Sequence, residues 1–345
     1  ATRWGALVIV AFTMMAAYYV NDVVAPLKTM LETDLAWSST DFGFFTGGYS
    51  FLNVFFLMLI WGGLILDRFG IRFTGKLATI LMVGGTALEY YAMTGLAGAD
   101  ATLFGINEIF GYKTGVFVAF AGYSIFGVGA EVAGITVSKI IAKWFKGKEL
   151  ATAMGVQVAL ARIGSQAGYA VAIPLARAFG ISTPVLLGLV LLLGGMIAFF
   201  IFAVMDKKLD KQMEAAAIAA GTEDEEEKFS FKDVKNILVN PGFWLIALLC
   251  VLFYSCVFPF QKFASELMII KYGINENVAG TFAGLPALGA LILTPVFGGF
   301  IDKRGKSASI MLLGSAMLIC VHFIYAIPDI NYWLVAIVLM IILGI

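Results

Sequence analysis

Residues Gly62–Arg72 read GGLILDRFGIR, and residues Gly298–Lys306 read GGFIDKRGK. Each stretch ends a long apolar run, and each places an aspartate and a basic residue between two glycines. A polar turn that recurs after two apolar runs predicts an internal repeat, in which each copy follows the second span of its half. Parallel repeats about an axis along the membrane normal build one large class of transporters.

The composition places the chain in a membrane. Of 345 residues, 61% are hydrophobic and only 13% are charged, and the mean hydropathy is +0.93. Soluble domains are about 45–50% apolar and about 25% charged, so one water-facing core cannot hide this much apolar surface. The net charge is zero, which argues against a nucleic-acid partner. No motif indicates a metal or another cofactor, and no Walker motif supports ATP-driven transport.

Long apolar segments recur along the chain, and each full one can cross about 30 Å of hydrocarbon as a helix. They are Trp4–Val24, Phe42–Leu66, Phe73–Leu96, Gly115–Ile141, Leu150–Leu175, Pro184–Met205, Phe243–Ile270, Ala279–Ile301 and Ala308–Ile327, followed by the shorter Tyr332–Ile345. This pattern predicts an all-α polytopic protein with nine spans and part of a tenth. The first residue is not Met and the last run is short, so we interpret the chain as a fragment.

The longest polar interruption divides the chain. Residues 206–240 include the acidic run Glu223–Glu227 and follow the sixth span, which is typical of a solvated linker. We therefore expect an N-terminal six-helix half over residues 1–205, a cytoplasmic linker over 206–240, and a C-terminal half over 241–345 that stops in span ten. The parent protein would have two six-helix halves.

Lys and Arg are unevenly divided between alternate loops and span ends. Seventeen of the 23 lie on one side, and this enrichment marks the cytoplasmic side of a membrane protein. The N-terminus is therefore predicted to be cytoplasmic, and the protein to lie in a bacterial cytoplasmic membrane. The other side receives five, namely Lys28, Lys113, Arg177, Lys262 and Lys271, and Arg162 lies deep inside a span.

The repeated turn resembles the loop motif of the major facilitator superfamily, Gly-x-x-x-Asp-Arg-x-Gly-x-Arg. It stands here as Gly63, Asp67, Arg68, Gly70 and Arg72, with Asp302 and Lys303 in the weaker second copy. Charged groups at a helix end can pair with a neighbouring helix terminus and hold one conformation until the halves rock. We predict that these residues form a conformational lock; the alternative is a polar turn that obeys the charge bias.

A narrower resemblance covers nearly the whole chain. The matching stretches are Lys143–Leu150, Gly155-x-Gln157, Ala161–Ser165, Tyr49-Ser50-x-x-Asn53 and Phe258-Pro259-Phe260. They are similar to the lysosomal dipeptide transporter branch of that superfamily and its bacterial relatives. The resemblance implies uniport of dipeptides, with Glu131 and Arg162 at the motif positions of the substrate site.

The same two residues stand out without the resemblance. Glu131 lies 12 residues before Lys143 and Arg162 lies 14 residues after Lys148, which places both about 18–20 Å from one face. An ionised side chain at the centre of a membrane helix costs about 2.5–3.5 kcal/mol, so each needs a partner or a watery cavity. One alternative is a structural ion pair. The other is a zwitterion site, in which Arg162 binds a carboxylate and Glu131 an ammonium group.

Other polar groups inside the spans are further candidates. Asn53 and Gln157 line the cavity or bridge helices, and Tyr19 is a candidate lining residue at the end of span one, where Tyr also anchors at the interface. Glu89 lies 13 residues after Lys76 and is either a proton-carrying carboxylate or a packing residue.

These observations favour a secondary transporter of small peptides that works by alternating access. An organic-anion or nitrate-type carrier, with Arg162 as the binding group and Glu131 as its counter-ion, is the first alternative. A receptor or scaffold that transports nothing is the second. An enzyme is disfavoured, because no span pairs a nucleophile with a base. Glu89 leaves proton symport open beside uniport.

Overall fold

The structure is a computed structural model, and it describes residues 2–98, 101–146, 149–220, 238–293 and 307–344. The second copy of the loop motif, with Asp302 and Lys303, lies outside the described residues, and so do residues 221–237 of the expected linker.

The described chain is mainly helical. Its helices are α1 (Thr2–Val23), α2 (Lys28–Asp34), α3 (Ser39–Phe55), α4 (Met58–Thr94), α5 (Thr114–Trp144), α6 (Leu150–Phe179), α7 (Thr183–Ala220), α8 (Pro241–Ile270), α9 (Glu276–Ala283), α10 (Ser307–Ala326) and α11 (Trp333–Leu343). A 3-10 turn, Ala25–Leu27, joins α1 to α2, and a two-residue hairpin pairs β1 (Glu108–Ile109) with β2 (Tyr112–Lys113).

Local signals explain where several helices begin. Ser38 accepts a hydrogen bond from the Asp41 amide and Asp41 accepts one from the Ser38 amide, so a capping box starts α3. Asn240 caps α8 ahead of Pro241, which needs no amide partner at the first turn. Asn275 caps α9 in the same way, through the amide of Asn277.

The loop motif turns the chain at Gly70. This residue has φ +75° inside α4, so the 37-residue helix consists of two legs rather than one rod. A side chain at this φ would be strained, whereas glycine adopts it at little cost. The second leg of α4 corresponds to the predicted third span.

The second predicted span is not continuous, contrary to the expectation for Phe42–Leu66. It breaks between α3 and α4, where Leu57 adopts φ +51°, and the two helices are bent by 58°. A left-handed leucine costs about 1–2 kcal/mol, and nothing in the apolar sequence around it indicates the break.

Helix packing builds one large core from α1 to α7 and a smaller one from α8 to α11. The smaller core also includes Ala25 and Tyr169 of the N-terminal helices. In the larger core, α4 and α5 meet at Gly85 and Gly122, where an added Cβ would lie 2.5–2.6 Å from the carbonyl oxygen of the opposing glycine. Small residues at such a crossing let two membrane helices approach backbone to backbone.

Six described helices are long and apolar enough to cross a membrane, or up to seven if the bent pair of α3 and α4 counts as one span. The 18-residue window in α8 has no buried residue, as expected for a helix that faces lipid. Helix α11 has 11 residues, in agreement with the short final run in the sequence. The chain is a multi-pass membrane protein.

Candidate substrate cavity

A cavity of about 540 Å³ lies where α1, α3 and α5 face α8. Its wall is mostly apolar and carries a small set of polar side chains, which is the usual composition of a small-molecule site. The polar and charged lining residues are Tyr18, Asn21, Thr46, Tyr49, Ser50, Glu131 and Lys262.

Glu131 projects from α5 into this cavity, as the sequence analysis expected of a site residue. The Tyr49 hydroxyl donates a 2.8 Å hydrogen bond to its Oε1 atom, which orients the carboxylate and leaves lone pairs on both oxygens for a ligand. Among the described residues, no Lys or Arg forms an ion pair with Glu131. The carboxylate is therefore available to a cationic group.

Arg162 lies beside the cavity and outside its lining. Its guanidinium carbon is 6.0 Å from the centre of the Tyr18 ring, and Tyr18 is part of the wall. In the described part of the chain, Arg162 makes no hydrogen bond or ion pair. The structural ion pair between Glu131 and Arg162, one of the two alternatives from sequence, is not formed in this structure.

Lys262 was counted in the sequence among the basic residues of loops and span ends, and the structure places it in the cavity wall. It lies in α8, eight residues before the helix ends at Ile270, and it lines the cavity. Its Nζ donates to the Asn21 carbonyl oxygen (2.5 Å) and to the Tyr123 hydroxyl (3.1 Å). The Asp22 carboxylate lies 3.6 Å away.

This cluster joins the two sets of helices at the end of α1. Tyr18 and Asn21, near the end of α1, also belong to the wall. A signal for Lys262 was present in the sequence: an ionisable residue inside an apolar run is a functional-site candidate by default.

Three other predicted site residues do not reach the lining. Tyr19 is 2% exposed and donates to the Pro184 carbonyl oxygen. Asn53 donates from Nδ2 to the Tyr49 carbonyl oxygen on its own helix, and its Oδ1 is buried without a partner. Gln157 lies half-buried on α6.

Glu89 is completely buried on the second leg of α4. Neither carboxylate oxygen has a hydrogen-bond partner among the described residues, and the charge of Lys262 acts on the carboxyl group from α8. Burying an ionised carboxylate without hydrogen bonds is costly. This position therefore differs from that of Glu131, which is hydrogen-bonded and faces open space.

One end of the bundle is closed by polar contacts between the N-terminal helices and the helices from α8 onward. Lys28 bonds to Glu266 at 2.5 Å, and Arg177 pairs with Glu276. The helix α9 crosses α6 closely at Gly280, where an added Cβ would lie 2.2 Å from the Tyr169 carbonyl oxygen. We call this the Lys28 end.

The opposite end, which we call the Arg3 end, contains the predicted lock residues. Asp67 pairs with Lys139 at 2.9 Å, and both side chains are about half exposed. Arg72 lies 3.2 Å from Asp210 and 3.8 Å from Asp206, and so ties the loop motif to α7. Gly70 makes the turn that separates Asp67 from Arg72, and Arg68 lies 5.5 Å from the Phe69 ring.

Asp206 is the buried centre of that second cluster. It is 0% exposed and accepts hydrogen bonds from Lys143 Nζ (2.8 Å) and Trp144 Nε1 (3.0 Å) of α5. Lys143 also bonds to Asp210 at 2.5 Å. The cluster therefore joins the loop motif, the end of α5 and α7, all within the N-terminal helices.

The fold and the loop motif agree with a comparison against protein families. The model of the Major Facilitator Superfamily matches residues 7–345. The chain belongs to this superfamily. It is a transporter of that family, as expected from the repeated loop motif, and not an enzyme.

Curated relatives point to one branch of the superfamily. The lysosomal dipeptide transporter MFSD1 of Homo sapiens is 27% identical over 342 residues, which cover 95% of this chain and 67% of the relative. MFSD1 of Gallus gallus is 30% identical over 226 residues, which cover 62% of this chain and 49% of the relative. The resemblance read from the sequence motifs is confirmed.

Solved structures share the fold. Tetrameric PepTSo2 superposes with a TM-score of 0.65 at 13% identity, covering 100% of this chain and 82% of that one. A partially occluded inward-open form of the xylose transporter XylE from E. coli gives a TM-score of 0.63 at 16% identity, covering 100% and 84%. These carriers have different cargoes by name, so the likeness concerns architecture.

Proposed function

We propose that this transporter carries small peptides, most simply dipeptides, and that Glu131 binds their amino terminus. The observation that carries the proposal is the Glu131 carboxylate itself: it faces a cavity of about 540 Å³, it is oriented by Tyr49, and no cation of the described chain neutralises it. An ammonium group bound there would complete the ion pair.

Arg162 is proposed to bind the other end of the peptide. Its guanidinium lies over Tyr18, one side chain away from the cavity wall, and has no carboxylate partner of its own among the described residues. Guanidinium binds carboxylate through two parallel hydrogen bonds. A dipeptide, with a charge at each end, can satisfy Glu131 and Arg162 together.

The proposed transport cycle works by alternating access. The helices over residues 1–205 and those over 241–345 would rock about the cavity, so that the contacts between them at the Lys28 end break when that end opens. We retain the prediction from the Lys and Arg bias that the Arg3 end is cytoplasmic.

The test is uptake of a labelled dipeptide into proteoliposomes by the wild type, Glu131→Gln and Arg162→Lys, with and without a pH gradient. We expect both variants to lose most uptake, because one removes a charge and the other the bidentate geometry. Glu149→Gln is the matched control, since Glu149 forms an exposed ion pair with Arg3 far from the cavity.

Two results would overturn the proposal. If the wild type carries no dipeptide, or if Glu131→Gln transports normally, the peptide assignment fails. Uptake of an organic anion or nitrate that needs Arg162 and tolerates Glu131→Gln would establish the anion carrier in its place. Dependence on the pH gradient separates symport from uniport.

A further inference from the structure

The Lys262 ammonium group has mainly neutral hydrogen-bond acceptors. Two of its acceptors are neutral, the Asn21 carbonyl oxygen and the Tyr123 hydroxyl. The Asp22 carboxylate forms an ion pair with Lys262 at 3.6 Å and is itself bonded by the Asn21 side-chain amide at 2.8 Å. An ammonium group has three donors, so one donor of Lys262 remains for a carboxylate, either that of Asp22 or that of a ligand.

Lys262 of α8 and Arg162 of α6 contact α1 at different levels. Arg162 lies over Tyr18, whereas Lys262 bonds to Asn21, three residues further along α1. Three residues of α-helix rise about 4.5 Å, so Lys262 lies nearly one helical turn closer to the closed Lys28 end. The two cations are thus staggered along α1, Lys262 in the cavity lining and Arg162 beside it.

The attachment of Lys262 depends on the state of the transporter. Lys262 belongs to α8, and its partners belong to α1 and α5, so its contacts exist while these helices meet at the Lys28 end. Pro259 lies one turn before it on α8, and a proline inside a helix removes a backbone hydrogen bond and permits bending. Opening of the Lys28 end would withdraw Lys262 from the end of α1.

We propose that Lys262 is a second carboxylate-binding residue of the transport path, for which the substrate carboxylate and Asp22 compete. When the Lys28 end is open, Lys262 binds the carboxylate of the entering substrate. When that end closes, Asn21 and Asp22 take up Lys262 again, and the carboxylate passes one turn along the cavity toward Arg162. This inference rests on the proposed peptide function and adds a subsite to it.

The competition has a specific consequence. Removing the Asp22 charge leaves Lys262 with neutral acceptors alone, so a substrate carboxylate meets less competition. Asp22→Asn therefore tightens binding of a carboxylate ligand, whereas Lys262→Gln weakens it. A purely structural role for the cluster predicts that both variants impair binding together.

The experiment compares a dipeptide with its C-terminal amide, which keeps the ammonium group and lacks the carboxylate. Binding of both is measured by calorimetry on the full chain in detergent, for the wild type, Lys262→Gln, Asp22→Asn and the double variant Asp22→Asn/Lys262→Gln. Lys271→Gln is the matched control, because Lys271 bonds to the carbonyl oxygens of Tyr325 and Ile327, within residues 241–345, and does not line the cavity.

We expect Lys262→Gln to reduce the preference for the free acid over the amide by about tenfold, as for one lost charge-assisted hydrogen bond. Asp22→Asn should increase affinity for the free acid and leave affinity for the amide unchanged. Lys271→Gln should preserve the preference for the free acid. The double variant removes both charges together. A melting temperature and an amide affinity equal to those of the wild type would show that this variant is folded and has lost only the carboxylate subsite.

An unchanged preference in Lys262→Gln, or weaker free-acid binding in Asp22→Asn, would overturn the inference while dipeptide binding to the wild type still supports the proposed function. If the wild type binds neither the dipeptide nor the amide, both proposals fail.

Discussion

Gly280 offers a direct way to perturb the closed Lys28 end. It lies on α9, and a Cβ at this position would lie 2.2 Å from the Tyr169 carbonyl oxygen and 3.2 Å from the Pro26 Cβ. The backbone oxygen cannot rotate away, so in Gly280→Ala the two helices must separate by roughly 1 Å to restore van der Waals contact. Overpacking of this kind costs about 1–3 kcal/mol.

The free-energy cost of this overpacking applies to one conformation only. Since the contact joins α6 to α9 only while the Lys28 end is closed, a state in which that end is open avoids the penalty. A differential free energy of about 1–3 kcal/mol changes the ratio of two states by about 5-fold to 150-fold. Gly280→Ala should therefore increase the population open at the Lys28 end by at least about fivefold.

The assay is labelling of a cavity cysteine. Ser50 lines the cavity, so Ser50→Cys is introduced after the exposed Cys250, Cys256 and Cys320 are replaced by serine. A membrane-impermeant maleimide is then applied from the Lys28 side of oriented proteoliposomes. We expect faster labelling with Gly280→Ala than without it.

A control isolates the steric cause. Gly155 also lies within a helix, but a Cβ there would meet nothing within 4 Å, so Gly155→Ala should leave the labelling rate unchanged. Equal rates for Gly280→Ala and its parent, in protein that elutes as a single species, would refute the argument that this backbone contact holds the end closed.

Three further predictions concern the charged groups. Asp206→Asn should lower the melting temperature more than Asp210→Asn, because the Asp206 side chain is 0% exposed and that of Asp210 is 38% exposed. Breaking a buried ion pair costs about 3–5 kcal/mol, whereas breaking an exposed one costs at most about 1 kcal/mol. Equal shifts of the two variants in a thermal-unfolding assay would contradict this. Glu89→Gln keeps the shape of the side chain but cannot exchange a proton. The variant should therefore fold normally and lose any stimulation of uptake by a pH gradient. Stimulation equal to that of the wild type would exclude Glu89 from proton coupling. Tyr49→Phe removes the hydrogen bond to Glu131 and should weaken dipeptide binding in calorimetry by about 1 kcal/mol; an unchanged affinity would show that Glu131 needs no such orientation.

The sequence predicted what depends on local pattern. Apolar runs long enough to span a bilayer gave the helical class, and the glycine and charges of the loop motif gave the turn at Gly70 and the family. Glu131 could be found because a lone carboxylate in an apolar helix needs a watery cavity or a partner. Its depth, counted from Lys143, also suggested a position near the middle of the membrane.

The sequence did not predict two parts of the structure. The break at Leu57 has no helix-breaking residue to announce it, and Phe55, Phe56 and Leu57 are more than half exposed, so no packing of the described residues explains the left-handed backbone. Lys262 was counted with the loops and span ends when the two membrane sides were compared, although it lies within the predicted span Phe243–Ile270. Only the approach of α8 to the end of α1 shows that Asn21 and Tyr123 hold it inside.

The arrangement of charges also bears on the choice between a zwitterion and a simple anion as cargo. An anion carrier built on Arg162 needs Glu131 as the counter-ion that keeps the empty site neutral. In this structure Glu131 is instead bonded to the neutral Tyr49 hydroxyl, and the cation that lines the cavity, Lys262, already has Asp22 nearby. Among the described residues no Lys or Arg pairs with Glu131, and a simple anion cannot supply a positive charge. The proposed peptide would bring its ammonium group to Glu131 and its carboxylate to Lys262 and Arg162.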